Sequence, residues 1–132
     1  MVLVVEDDPM IMLGAVQMFE AAGAEALVAF SGDEAIQHME TRQDIRLVFT
    51  DCIMPGEVDG QQLAHLIRNR WPTVEIILVS GAMSVEQHDL PLGCRFFSKP
   101  VQQIQVSHAL LELGLVGNVP KALYNFPSKQ VG

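Results

Sequence analysis

Short unbroken apolar runs, each followed by a stretch of helical pattern, constrain this chain more than anything else in it. The runs are Val2-Leu3-Val4-Val5, residues 25–30, residues 46–50, residues 74–79 and residues 94–98. Strands buried on both faces read as continuous apolar runs, and both faces are covered when helices alternate with strands. The pattern predicts an α/β layer fold around a parallel sheet, with no internal repeat. Four runs end in polar residues. The first leads into Glu6-Asp7-Asp8, the third into Asp51, the fourth into Ser80-Gly81 and the fifth into Lys99-Pro100. In an open parallel sheet, ligands bind outside the carboxyl ends of the strands. One edge should therefore gather several carboxylates, a hydroxyl and an ammonium group.

The helices are bounded by cap chemistry. Asp8 is the expected N-cap of the first helix, Pro9 its first residue and Gly23 its C′ residue. Ser31-Gly32-Asp33 should cap the second, with Ala35, Ile36 and Met39 facing inward. A loop from Met54 to Gly60 leads into the third, where Leu63, Leu66 and Ile67 form the expected inner stripe and Pro72 ends the pattern. Residues 82–92 allow only a short or irregular helix. A last helix over 101–113 carries Val106, Ala109, Leu110 and Leu113 as one stripe. Residues 1–114 thus read as one domain and 115–132 as a tail or linker.

Composition excludes several classes. At 132 residues the chain is long enough for one real core. A formal net charge of −8 speaks against nucleic-acid binding, which needs Lys and Arg at phosphates. The apolar stretches are too short to span a bilayer, and Met1 leads straight into a strand with no basic region before it, so a cytoplasmic protein is expected. Cys52 and Cys94 lack metal spacing and are expected to be reduced. The histidines at 38, 65, 88 and 108 show no ligand spacing and read as surface residues.

Glu6, Asp7 and Asp51 should meet at neighbouring strand ends. Carboxylates that close raise one another's pKa unless something compensates. A divalent cation is the usual remedy, and few carboxylates plus open positions suit Mg²⁺ (or Mn²⁺) better than an all-protein Ca²⁺ cage. Asp8 is expected to do no more than cap its helix.

Taken together, Val4-Val5-Glu6-Asp7-Asp8-Pro9, Phe49-Thr50-Asp51-Cys52-Ile53-Met54-Pro55-Gly56, Val79-Ser80-Gly81 and Phe96-Phe97-Ser98-Lys99-Pro100 resemble a response-regulator receiver domain of two-component and phosphorelay signalling, over about residues 2–113. The resemblance implies a flavodoxin-like, doubly wound five-stranded sheet in order 2-1-3-4-5. It implies that Asp51 is the phosphoacceptor, charged by a histidine kinase or histidine phosphotransfer domain. It implies Mg²⁺ held by Asp7, Asp51 and the Ile53 backbone carbonyl, with Glu6 acting through water. Ser80, Lys99 and the backbone N–H groups of Cys52 and Gly81 would hold phosphoryl oxygens. Ser80 and Phe96 would form the conformational switch, and the Lys99–Pro100 bond would be cis. The only chemistry implied is self-phosphorylation and slow self-dephosphorylation, not turnover of a metabolite.

The chain departs from the family pattern in places. The loop after Pro55 is one residue longer than the common form, and the segment from Ser80 to Lys99 is about three residues shorter. Ile53 and Ala82, two residues after Asp51 and Ser80, cannot position a water, which predicts a long-lived acyl phosphate. The first helix is apolar nearly all round, with only Gln17 and Glu20 polar between Pro9 and Ala21. A helix against a sheet needs one apolar stripe. Met10, Met12 and Leu13 are therefore expected to form a partner face where the phosphodonor docks. The last helix could support a homodimer. Two other classes compete: an aspartyl-nucleophile hydrolase, disfavoured because Ile53 stands where its general acid belongs, and a receiver-like interaction domain that is not phosphorylated.

Overall fold

The computed structural model describes residues 1–54, 56, 58–81 and 90–117. In chain order the elements are β1 (Val2–Val5), α1 (Pro9–Ala21), β2 (Ala26–Ala29), α2 (Gly32–Thr41), β3 (Leu47–Asp51), α3 (Gly60–Arg70), β4 (Glu75–Ser80), β5 (Arg95–Ser98) and α4 (Gln103–Glu112). The strands form one parallel sheet in the order β2-β1-β3-β4-β5. The short helix expected within 82–92 falls mostly outside the described residues.

The period-2 alternation of the strands divides the core in two. Leu3, Val5, Val48, Ile76 and Leu78 point to the side covered by α2 and α3, where they meet Ala35, Met39, Leu63, Ala64 and Ile67. Val2, Val4, Leu47, Phe49, Ile77 and Val79 point to the other side and meet Met12, Ala15 and Phe19 of α1 and Val106, Ala109 and Leu110 of α4. There the Phe19 and Phe49 rings pack edge to face, with centroids 5.0 Å apart. β1 sits centrally with all four residues buried, as its unbroken apolar run requires. Leu115 and Val116, beyond α4, also pack against this second core.

The caps place the helix starts. The Asp8 carboxylate accepts from the Met10 and Ile11 amides, and Pro9 fills the first helical position where no N–H is needed. Gly23 closes α1 at φ 95°. The Ser31 hydroxyl accepts from Glu34 N–H, and Asp59 with Gln62 forms a capping box on α3.

Some expectations shift. Leu66 lies on the outer side of α3, 38% exposed, because the stripe there runs through Leu63, Ala64 and Ile67. α4 begins at Gln103, capped by Gln102, rather than at residue 101. His38 is half-buried, its Nε2 lying 3.0 Å from the Val28 carbonyl oxygen, whereas His65 and His108 are exposed.

Candidate functional site

Because every strand runs the same way, the carboxyl ends of β1, β3, β4 and β5 share one edge. Glu6, Asp7, Asp51, Ser80, Gly81 and Lys99 are all at that edge. One carboxylate oxygen from each of Glu6, Asp7 and Asp51 lies within 4.8 Å of the others. Lys99 reaches across from β5, and its Nζ donates to Asp51 Oδ2 at 2.9 Å. The Lys99–Pro100 peptide bond is cis, as the family resemblance implied. Lys99 N–H donates to the Ser80 carbonyl at 3.0 Å, which fixes the end of β5 against β4. Gly81 lies against the Lys99 stem, where an added Cβ would come 3.5 Å from Lys99 Cβ.

The three carboxylates are not equivalent. Glu6 is buried, while Asp7 is exposed and Asp51 lies between them. Glu6 Oε2 accepts from Asp8 N–H at 3.0 Å. Burial, more than its neighbours, pushes the Glu6 carboxyl up to about 7, and Asp7 and Asp51 add to the rise. Burial alone would lower the Lys99 ammonium, but the hydrogen bond and charge of Asp51 outweigh it and raise its pKa. Lys99 therefore stays charged beside Asp51. The donor set is all carboxylate oxygen with room for water, which suits a hard cation such as Mg²⁺ and not a thiolate- or imidazole-seeking metal. Glu6, Asp7 and Asp51 are the residues that would hold it.

Two expected roles need correction. Cys52 N–H donates to the Val79 carbonyl at 2.9 Å, so it is committed to the junction of β3 and β4 and does not face the site. Its thiol is fully buried, with its pKa pushed up to about 12, mainly by burial, which leaves it unreactive. Met12 is buried at 3% exposure against β1 and β3 and so cannot belong to a partner face. Met10 and Leu13 are 77% and 52% exposed, and Ile11 joins them on the outside.

Ser80 is buried at the end of β4. Phe96 is half-buried against the core under α2 and α3, while its neighbour Phe97 packs against the opposite core. Ile53 is exposed beside Asp51.

One residue that shapes the site was not singled out from the sequence. Gly60, at the start of α3, donates its N–H to the Cys52 carbonyl at 3.0 Å. A Cβ on Gly60 would come within 1.7 Å of the Asp51 carbonyl oxygen. The turn after β3 closes onto Asp51 only because this residue has no side chain. The signal available was an Asp-Gly pair at a helix start.

Comparison with known proteins agrees with this arrangement. The family model for the response regulator receiver domain matches residues 2–111. Sensor kinase CckA of Brucella abortus is 32% identical over 116 residues, which is 85% of this chain and 12% of that protein. Response regulator protein FleR of Pseudomonas aeruginosa is 35% identical over 86 residues, 65% of this chain and 18% of that protein. The chain thus spans less than a fifth of the length of these curated relatives. Among solved structures, a receiver domain protein from Clostridium thermocellum superposes with a TM-score of 0.77 at 26% identity, covering 85% of this chain and 91% of that one. The receiver domain of hybrid histidine kinase CckA gives a TM-score of 0.70 at 29% identity, covering 85% and 96%. With the order of the strands, the acidic edge and the lysine on Asp51 already in place, this chain belongs to the response regulator receiver domain family of two-component systems.

Proposed function

We propose that Asp51 accepts a phosphoryl group from the phosphohistidine of a kinase or phosphotransfer protein and that the resulting acyl phosphate switches the domain. The observation that carries this is the 2.9 Å contact of Lys99 Nζ with Asp51 Oδ2 inside the Glu6–Asp7–Asp51 cluster. An Asp51 carboxylate oxygen attacks phosphorus, the phosphorus–nitrogen bond of the donor breaks, and the electron pair leaves on the imidazole. A divalent cation held by Asp7, Asp51 and the Ile53 carbonyl, with Glu6 acting through water, would offset the charge on the transferring oxygens. Lys99 supplies a second, fixed positive charge at the same oxygens. Positioning and electrostatics are most of what phosphoryl transfer needs.

The switch would follow from geometry. The Ser80 hydroxyl at the buried end of β4 and the Gly81 N–H would take a phosphoryl oxygen, and movement of Ser80 would free space for the half-buried Phe96 to turn inward. Exposed Ile53 offers no polar group to align a water on the acyl phosphate, which supports slow hydrolysis. Exposed Met10 and Leu13 on α1 support docking of the phosphodonor there.

Intact mass after incubation with acetyl phosphate and Mg²⁺ tests this. The expected result is one added phosphoryl group, lost in Asp51→Asn and when Mg²⁺ is withheld. No adduct from either acetyl phosphate or a phosphorylated histidine donor would reject Asp51 as acceptor. A phosphoryl half-life of seconds would reject slow hydrolysis alone.

A further inference from the structure

The opposite edge of the sheet, at the amino ends of the strands, has a different chemistry. A cavity of about 640 Å³ lies there between the end of α2, the start of β3 and the turn from α3 to β4. Ligand pockets for small molecules are commonly about 300–1,000 Å³. Arg42, Arg46 and Arg70 line it. These are three of only five arginines in a chain of net charge −8. Trp71, the single tryptophan, lines it too, with the Arg70 guanidinium carbon 4.4 Å over its ring centroid.

We infer that this cavity binds a nucleotide, with its phosphates on Arg46 and Arg42 and its base beside the Arg70–Trp71 stack. Arginine recognises phosphate through a fixed fork of donors, and guanidinium and indole planes stack on bases. Arg46 is exposed, and among the described residues its guanidinium has no hydrogen-bonded or ion-paired partner. Arg42 and Arg70 are held by Asp44 at 2.7 Å and Glu40 at 2.9 Å. Both pairs are solvent-exposed; the Arg70–Glu40 contact is single and weak, whereas Arg42 grips Asp44 through two hydrogen bonds of 2.9 and 2.7 Å, so a doubly charged phosphate takes Arg46 first and competes with Asp44 for the Arg42 fork. The cavity is larger than a phosphate needs, and the ring stack at its wall accounts for the surplus. The site is independent of Asp51.

Because Trp71 is the only tryptophan, its fluorescence reports this cavity directly. ATP, GTP, adenosine and inorganic phosphate would each be titrated in EDTA, so that no metal bridges the nucleotide to the acidic edge. Saturable quenching by ATP or GTP with Kd below about 1 mM is expected, with adenosine and phosphate about tenfold weaker or worse. Arg46→Ala should weaken binding about tenfold with unchanged Tm, while Asp51→Asn should bind as well as the parent. Equilibrium dialysis with labelled ATP covers a mode that leaves fluorescence unchanged. Absence of saturable binding in both assays, or binding indifferent to Arg46→Ala, would overturn the inference. Phosphate binding as tightly as ATP would overturn its nucleotide part.

Discussion

Helices α1 and α3 cover opposite faces of one sheet and solve the same inner problem alike. α1 buries Met12, Ala15 and Phe19, and α3 buries Leu63, Ala64 and Ile67. Their outer sides differ. α3 shows His65, Asn69 and Arg70 to water, with Leu66 the single large apolar residue there. α1 shows Met10, Ile11 and Leu13. The inner stripes are what the sheet demands. The outer surface of α1 is not demanded by folding.

If the inner stripes are equivalent, Phe19→Ala and Ile67→Ala should each cost about 3–5 kcal/mol, as truncation of fully buried large side chains does. Urea denaturation of the two variants gives both numbers. A Phe19 cost under about 1 kcal/mol would break the comparison, since α1 would then be held by something other than its core contacts.

The glycines of the two helices sharpen it. Gly60 opens α3 against the Asp51 carbonyl, and Gly14 sits within α1 where a Cβ would meet nothing within 4 Å. Gly60→Ala should cost about 1–3 kcal/mol through forced backbone shifts and also slow phosphorylation of Asp51. Gly14→Ala should stabilise by about 0.5–1 kcal/mol, because alanine is the better helix former and nothing obstructs it. Equal effects at both positions in thermal melts would show that the close approach at Gly60 does not constrain the site.

The turn into α1 adds a pH dependence. Glu6 precedes the Asp8 cap and has its carboxyl raised to about 7, chiefly by burial. Its unfolded value is ordinary, so between about pH 4.5 and 7 the folded chain binds more protons than the unfolded one, and stability falls as pH rises. The metal-free protein should lose on the order of 2 kcal/mol from pH 5 to 8, and Glu6→Gln should flatten that slope. Mg²⁺ should restore stability most at the upper end. A metal-free stability that rises over this range would show that Glu6 is not the controlling group.

The parallel sheet and its acidic edge were legible because both follow from local pattern, whereas the strand order came from the family resemblance. Continuous apolar runs name buried parallel strands, and a polar residue after each run falls at the same edge wherever the strands are parallel. The cis bond before Pro100 was legible from the family motif alone. What was missed depends on three-dimensional approach. The identity of the amide facing the site turns on the pleat at Cys52, whose N–H is taken by Val79. Which of Met10 and Met12 is buried turns on the rotation of α1, and an all-apolar helix leaves that phase undefined. Leu66 fails for the related reason that Ala64, too small to attract notice, fills its place in the stripe. The cavity between Arg46 and Trp71 joins residues of two separate connections, α2 to β3 and α3 to β4, and leaves no motif.

The outer surfaces remain the discriminating test. Met10→Glu on α1 and Leu66→Glu on α3 place the same charge on exposed apolar positions, and each should change stability by less than about 0.5 kcal/mol. If the apolar outer side of α1 receives the phosphodonor, Met10→Glu should lower kcat/KM for transfer from a phosphohistidine partner about tenfold, close to 1.4 kcal/mol. Phosphorylation by acetyl phosphate should stay unchanged, because that small donor needs no docking surface. Leu66→Glu should alter neither rate. Comparing the two donors separates docking from chemistry. A defect in Met10→Glu with both donors would locate the fault at Asp51, and no defect with either would leave the outer side of α1 unconnected to phosphotransfer.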